Sequence, residues 1–289
     1  MIRGLYTAAS AMITQQRRHD AITNNISNLQ TPGYKQETAA VRSFPELLIH
    51  LMENNGQGQP ARSIGRLNTG VFVEENIPSF LQGDLSRTNQ PGDLALISNI
   101  QVPGVAFDQN GQAVVDGEIV YQPQAFFTVQ GADGEPRYTR DGRFHLDEAG
   151  QLVNVNGQPV LGVDGEPIVI EGLSMDQIYI TDNGTLMNRA DGTPLGQQLL
   201  ISRIDQPNLL IREGSGNYRL SPDAEPAVPI AAEDQVSVRQ GYLERSNVDA
   251  AQSMVDMMTA LRLYEANQRV IQSYDQILDK AVNQIGRIN

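Results

Sequence analysis

The chain has 289 residues and a formal net charge of −13, with 26 Gly, 15 Pro and neither Cys nor Trp. That composition excludes disulfides, Cys-ligated zinc, iron–sulfur clusters and thiol nucleophiles. An acidic chain whose only lysines are Lys35 and Lys280 is a poor partner for nucleic acid or anionic lipid, and no apolar run approaches the ~18 residues that membrane insertion requires.

The charge and the helix breakers are unevenly placed. Residues 1–30 carry a net +2, residues 31–235 a net −15 and residues 236–289 a net 0; all 15 prolines and 23 of the 26 glycines fall in the middle segment. Pro and Gly are the strongest local breakers of helix, so two ends free of Pro flank a punctuated, acidic centre. The N-terminus has no long apolar core and reads as an amphipathic helix, not a cleaved signal. Leu5, Met12, His19 and Ile26 recur there every seven residues, with Ala8, Gln15, Ile22 and Leu29 three places later. Thr23–Asn28 followed by Thr31-Pro32-Gly33 marks the end of this helix. Asn54–Arg66 is polar and contains Gly, and is expected to be a mobile linker.

The middle reads as β. Gln124–Gln130, Arg137–Thr139, Arg143–Leu146, Gln151–Val155, Pro167–Ile170, Gln177–Ile180, Gln198–Ile204 and Tyr218–Leu220 are rich in β-branched or aromatic residues. Between them lie Asp133-Gly134, Asp141-Gly142, Asn156-Gly157, Asp164-Gly165, Asn183-Gly184 and Asp191-Gly192, which supply the positive φ angles of tight hairpins. The spacing predicts an all-β meander or small sandwich. At the C-terminus Met257, Tyr264, Ile271, Leu278 and Ile285 again recur every seven, extended by Met254, Leu261 and Val282; this is the coiled-coil period. Ser246 or Asn247 is the expected N-cap, with Asp249 in the first turn. The fold class expected is α+β: terminal α-helices in a coiled-coil-like region and a central all-β domain. The boundaries are 1–75 (N-terminal helix and extended segment, pairing with the C-terminus), 76–235 (β domain) and 236–289 (C-terminal helix).

Chemistry-bearing patterns fail on inspection. His19, His50 and His145 lack the i, i+4 spacing of a metal-binding helix. Asp182-Asn183-Gly184 and Asp141-Gly142 lack the alternating oxygen ligands and terminal Glu of a calcium loop. The order around Arg212–Asn217 is not that of a nucleophile elbow, and Gly56-Gln57-Gly58 lacks the third Gly and the strand–helix context of a dinucleotide site. Carboxylate neighbours such as Glu74 and Glu75 are expected in any acidic chain. No catalytic, cofactor-binding or metal-ligating residue is assigned, and no enzyme activity is expected.

Four ordered blocks carry a resemblance. Residues 2–35 contain Asn24, Asn25, Asn28, Thr31, Gly33, Tyr34 and Lys35, spaced as in the N-terminal signature of bacterial flagellar rod and hook proteins. Gly241, Leu243, Glu244, Ser246, Asn247 and Val248, followed by Met254-Val255 and Arg262–Asn267, resemble the C-terminus of that family. Gly83–Leu85, Gly92–Leu96, Tyr138–Phe144 and Leu152–Gly162 are similar to its rod subgroup, with about 25 residues (Asn99–Pro123) standing where that family has only a few. The Leu243–Val248 boundary is closest in kind to the distal rod.

The resemblance implies a structural subunit of the flagellar basal-body rod, in the cell envelope outside the cytoplasmic membrane. It implies export, unfolded, through the flagellar export apparatus and polymerisation through the terminal helices, with copies of itself and other rod and hook subunits, into a hollow drive shaft that transmits torque to the hook. Under it, Leu5, Met12, Ile22, Ile26, Met257, Leu261, Tyr264, Ile271 and Leu278 form the intersubunit seam, while Asn24, Asn25 and Asn28 cap or cross-link backbone where the first helix ends. The alternative is a secreted soluble β protein, a carbohydrate-binding or hydrolytic module with its terminal helices packed on its own core.

Overall fold

The computed structural model describes residues 2–45, 47–51, 62–108, 111–115, 117–231, 234–281 and 283, with the side chains of all except 2, 47–51 and 62–67. The chain divides into two compact units, one made of residues 1–27, 37–77 and 249–289 and the other of residues 28–36 and 78–248.

The first unit holds both long helices, α1 (Ile2–Ser27) and α2 (Ala250–Lys280). No Pro interrupts either, and Gly4 is the sole helical Gly among these residues, so backbone propensity and the seven-residue apolar period agree. α2 begins on Asp249, whose carboxylate accepts from the backbone N–H groups of Ala251 (2.8 Å) and Gln252 (3.1 Å). The cap is thus Asp249, not Ser246 or Asn247 as expected, because Asn247 is occupied elsewhere. Two strand pairs complete the unit: Glu37–Ser43 with Val71–Pro78, and Leu47–Leu51 with Arg62–Leu67. Of the linker expected at 54–66, residues 54–61 lie outside the described part, and 62–66 form a paired strand.

The second unit is built mainly of β-strands, with short 3-10 turns at Met175–Gln177 and Pro207–Leu209. Its largest sheet runs, in spatial order, Leu210–Gly214, Asn217–Leu220, Pro136–Thr139, Gln124–Gln130, Ile201–Ile204 and Val228–Pro229, with every neighbouring pair antiparallel. Gln124–Gln130 is buried on both faces. Ala125, Phe127 and Val129 join one apolar cluster with Leu94, Leu96, Leu152, Ile168, Ile178 and Ile201. Phe126, pointing the other way by the period-two rule, joins Phe80, Tyr138, Ile204, Leu210 and Tyr218. A three-stranded meander (Ile178–Ile180, Thr185–Asn188, Pro194–Gln198) adds to the first cluster. Residues 236–244, assigned by composition to the C-terminal helical segment, are strands: Val236–Gln240 pairs with Leu94–Ser98 and Tyr242–Glu244 with Leu85–Arg87.

Most Asn-Gly and Asp-Gly signals mark turns with positive φ at Gly, including Gly134, Gly157, Gly165, Gly184 and Gly192. Asp141-Gly142 does not. Gly142 is present because a Cβ there would collide with the Leu94 carbonyl oxygen, and its own carbonyl accepts from the Leu94 N–H at 2.9 Å. Pro167–Ile170, expected as a strand, contributes only isolated bridges, Gln151 to Val169 and Leu161 to Pro167. Within Asn99–Pro123 a hairpin pairs Gln112–Val115 with Glu118–Tyr121.

Candidate subunit-interaction helices and a buried ion cluster

In the first unit α1 and α2 lie against one another. Small side chains permit the approach: Ala8 on α1 and Ser253 and Ala260 on α2 are buried, and Gly4 sits where any Cβ would collide with the Tyr274 ring. A second side of α1 is pinned to neighbouring backbone. Thr14 Oγ1 donates to Ser10 O (2.9 Å) and reaches Val71 O (3.3 Å), and Thr7 Oγ1 reaches Thr69 O (3.4 Å). At the end of α1, Asn25 clasps Glu37 in both directions, Nδ2 donating to Glu37 O at 2.7 Å and Oδ1 accepting from Glu37 N at 2.9 Å. Asn24, by contrast, is exposed.

The residues expected at the seam divide by environment. Ile22 is buried, and Leu5, Met12, Ile26, Met257, Tyr264 and Ile271 are half-buried. On α2, Met257, Tyr264, Ile271 and Leu278 occupy the same side as Ala260, since seven residues return a helix to within ~20° of its starting azimuth. Leu261 and Leu278 are exposed. Two further groups on α2 are exposed and were not singled out from the sequence as a face of their own. Leu263, Val270 and Ile277 form a second row of period seven, 42%, 43% and 49% exposed, and Met254, Met258 and Leu261 gather on another side. The missed signal is a second heptad phase, offset by one residue from the first. Val282 and Ile285, the last positions of the predicted stripe, lie outside the described residues.

In the second unit the sequence motifs converge on one carboxylate. Lys35 Nζ donates to Glu244 Oε1 at 2.6 Å and to Leu81 O at 2.7 Å, and the Gly83 N–H donates to the same Oε1 at 2.9 Å. Arg140 Nη1 lies 3.5 Å from Glu244 Oε2, while its Nη2 donates to Ser98 Oγ and Gln124 Oε1, both at 2.8 Å. The Phe126 ring lies beneath its guanidinium, 5.4 Å to the centroid. All three ionised side chains are almost fully buried. Burial and the nearby Arg140 lower the Lys35 ammonium to a pKa of about 8, against the partial restoring pull of Glu244. Burial pushes the Glu244 carboxyl up, but Arg140 and Lys35 together outweigh it and hold it below the ordinary carboxylate range. Two cations thus share one anion in a site closed to water.

Backbone reinforces the cluster. The Gly33 N–H donates to Glu244 O at 2.8 Å; Gly33 has φ +68°, and a side chain there would strike the Arg140 backbone. Tyr34 is buried under Arg212, whose guanidinium carbon lies 4.2 Å from the ring centroid. Thr31 Oγ1 donates to Asn28 Oδ1 at 3.1 Å. Asn247 accepts from Gln36 N (2.7 Å) and donates to Ser79 O (2.9 Å) and Leu81 O (3.1 Å). The Gly241 carbonyl accepts from Thr88 and Asn89, Leu243 pairs with Ser86, Ser246 Oγ accepts from Val248 N at 3.4 Å, and Val248 is buried. Arg140 lies within the Tyr138–Phe144 block, where nothing local marks it as an ion-pair partner. Among the described residues no group of His, Asp and Glu is arranged to hold a metal ion, and no helix is long and apolar enough to cross a membrane.

Comparison with known proteins follows the same blocks. Residues 5–35 match the flagella basal body rod protein model, residues 122–188 the D1 domain of flagellar hook protein FlgE/F/G, and residues 239–285 the C-terminal domain of flagellar basal body rod FlgEFG proteins. The chain is 40% identical to the flagellar hook-basal body complex protein FlhO of Bacillus subtilis over 100% of both chains. It is 32% identical to the flagellar basal-body rod protein FlgG of Borreliella burgdorferi over 98% of both. To the hook-basal body complex protein FlhP of Bacillus subtilis it is 30% identical, over 96% of this chain and 97% of the other. The soluble β-module alternative is therefore set aside: the chain belongs to the flagellar basal-body rod and hook family, structural proteins and not enzymes, which form part of the flagellar basal body in the cell envelope.

Proposed function

We propose that this rod subunit leaves the cell unfolded through the flagellar export apparatus. It then polymerises through α1 and α2, with copies of itself and other rod and hook subunits, into a hollow shaft that passes torque to the hook. The observation that carries the reading is the pair of uncovered apolar rows on α2. A helix that already lies against α1 still exposes Leu263, Val270 and Ile277 on one side and Met254, Met258 and Leu261 on another. Large side chains arrayed at seam period on a segment of net charge 0 are suited to further helices, because covering each gains about 1 kcal/mol without like-charge repulsion. A repeated head-to-tail contact of this kind generates a helical polymer. The absence of Cys suits a chain that must thread a channel unfolded.

Burial within the subunit divides the seam residues between two roles. The half-buried Leu5, Met12, Ile26, Met257, Tyr264 and Ile271 and the buried Ile22 serve chiefly within the subunit, and Leu261 and Leu278, with the Leu263–Val270–Ile277 row, serve between subunits. Val270→Asp should leave the melting curve of the soluble chain unchanged while abolishing sedimentable polymer and motility. Ile271→Asp, on the half-buried side of α2, should also lower the helix melt. Polymer formed by Val270→Asp at the parent's concentration would refute the assignment.

A further inference from the structure

The second unit carries a cationic cleft that no motif explains. About 340 Å³ in volume, it is lined by Arg87, Asn89, Asp176, Tyr179, Arg189 and Tyr242 among others. Arg87 spends its Nε on Asn89 Oδ1 at 2.7 Å, and its terminal nitrogens have no partner among the described residues. Arg189 is exposed, and its guanidinium has no hydrogen bond or ion pair among them. Asp176 supplies one opposing charge, so these residues leave the cleft net positive within a segment of net −15.

The floor is rigid. Asn89 is held at φ +58°, a strained region for a residue other than Gly, by the N–H groups of Thr88 (2.9 Å) and Asn89 (3.1 Å) on the Gly241 carbonyl. Gln240 Nε2 bridges Pro91 O and Ile178 O at 2.8 and 3.1 Å. Two guanidiniums on fixed supports beside two tyrosine rings suit paired carboxylates, which Arg binds with charge-assisted hydrogen bonds.

The same unit displays such a pair. Many of its acidic turn residues are already engaged: Asp133 and Glu213 with Arg137, Asp141 with Arg143, Asp205 and Asp234 with Arg203, and Asp147 with the backbone of its own turn. Asp223 and Glu225 are exposed and make no hydrogen bond or ion pair among the described residues. They stand two residues apart between Pro222 and Pro226, in a turn closed by Ala224 N to Ser221 O at 3.0 Å. Prolines on both sides limit the freedom this turn would lose on docking. We propose that the cleft receives the Asp223–Glu225 turn of a second copy of the chain, a β-unit contact additional to the helical one. It rests on the polymeric reading for its supply of neighbours.

The test uses the full chain. Arg87→Glu/Arg189→Glu should weaken association roughly tenfold or more at ~50 mM salt, with the difference fading toward ~500 mM as screening sets in. Asp223→Lys/Glu225→Lys should do the same, and mixing the two charge-reversed chains should restore association. Arg189→Glu alone, at a side chain without partners, guards against a folding artefact. Because the chain has no Cys, Tyr179→Cys on one chain and Ala224→Cys on a differently sized one should form a mixed disulfide under diamide, which accepts the two electrons. Cross-linking is also read on soluble Val270→Asp at high concentration, so a chain that fails to polymerise still reports on the cleft. Parent-like association of Arg87→Glu/Arg189→Glu at low salt, failure of the mixture to recover, or no mixed disulfide in soluble and pelleted chain alike would each overturn the proposal.

Discussion

Glu244→Gln is nearly isosteric, yet it leaves the Lys35 ammonium and the Arg140 guanidinium buried together with no counter-charge. Even in the parent, lowering Lys35 from 10.5 to about 8 makes its ionised form roughly 3 kcal/mol less comfortable than in water. Without the carboxylate this penalty grows until the lysine gives up its proton. At pH 7 that escape costs about 5 kcal/mol relative to the solvated ion, so Lys35 adds no more than about 2 kcal/mol to the parent's penalty. The Arg140 guanidinium also loses its buried counter-charge, and losing one partner of a buried ion pair typically costs about 3–5 kcal/mol in all. Denaturant unfolding of the full chain, followed by far-UV circular dichroism and tyrosine fluorescence, should show a loss in that range. Lys35→Met should cost much less, and added to Glu244→Gln should recover part of the damage. The pH dependence has a definite sign. The parent's penalty from Lys35 is full below about 8 and gone above 10.5, so stability rises with pH across that window. In Glu244→Gln the rise should begin lower, near neutrality. On the acid side the parent's Glu244 contribution is complete above 4.5 and is lost as the pH falls through its lowered folded pKa. A Glu244→Gln chain within about 1 kcal/mol of the parent, with an unchanged alkaline profile, would refute the picture of one anion holding two cations.

Asp249→Ala removes both capping bonds at the start of α2 and should cost about 1 kcal/mol, read as a lower helix melt with faster amide exchange at Ala251 and Gln252. Gly142→Ala forces a methyl group into the Leu94 carbonyl oxygen. Backbone must move to relieve it, so a loss of more than about 2 kcal/mol is expected, seen as a lower denaturation midpoint.

The α+β layout was legible because helix breakers are absent from both ends and crowded in the middle. The strand Gln124–Gln130 was legible because Phe126, Phe127, Thr128 and Val129 are four consecutive β formers. The ion cluster was not, although Lys35 and Glu244 both stood in the motifs. They are 209 positions apart, and nothing local distinguishes Glu244 among 34 acidic side chains. Arg140 was masked by the Asp141-Gly142 step beside it, which reads as a hairpin turn but exists for the close approach of Leu94. The cap was misplaced for a related reason: Asn247 and Asp249 are equally good capping types, and the choice rests on remote partners, Gln36, Ser79 and Leu81, that claim Asn247. The heptad found the apolar faces of the helices; burial within the chain decides which of them is already spoken for.

The position of Glu244 also sets a timetable. A chain made from its N-terminus produces Lys35 and Arg140 long before the carboxylate that neutralises them, and the strand Tyr242–Glu244 that carries it is the final strand among the described residues. Until that strand arrives, Lys35 and Arg140 have no anion to share, and the edge strand Leu85–Arg87 lacks its partner. Closing so long a loop is slow. A chain truncated before Glu244 therefore lacks the group that seals its β unit, and that unit can close only after the segment carrying Glu244 has arrived.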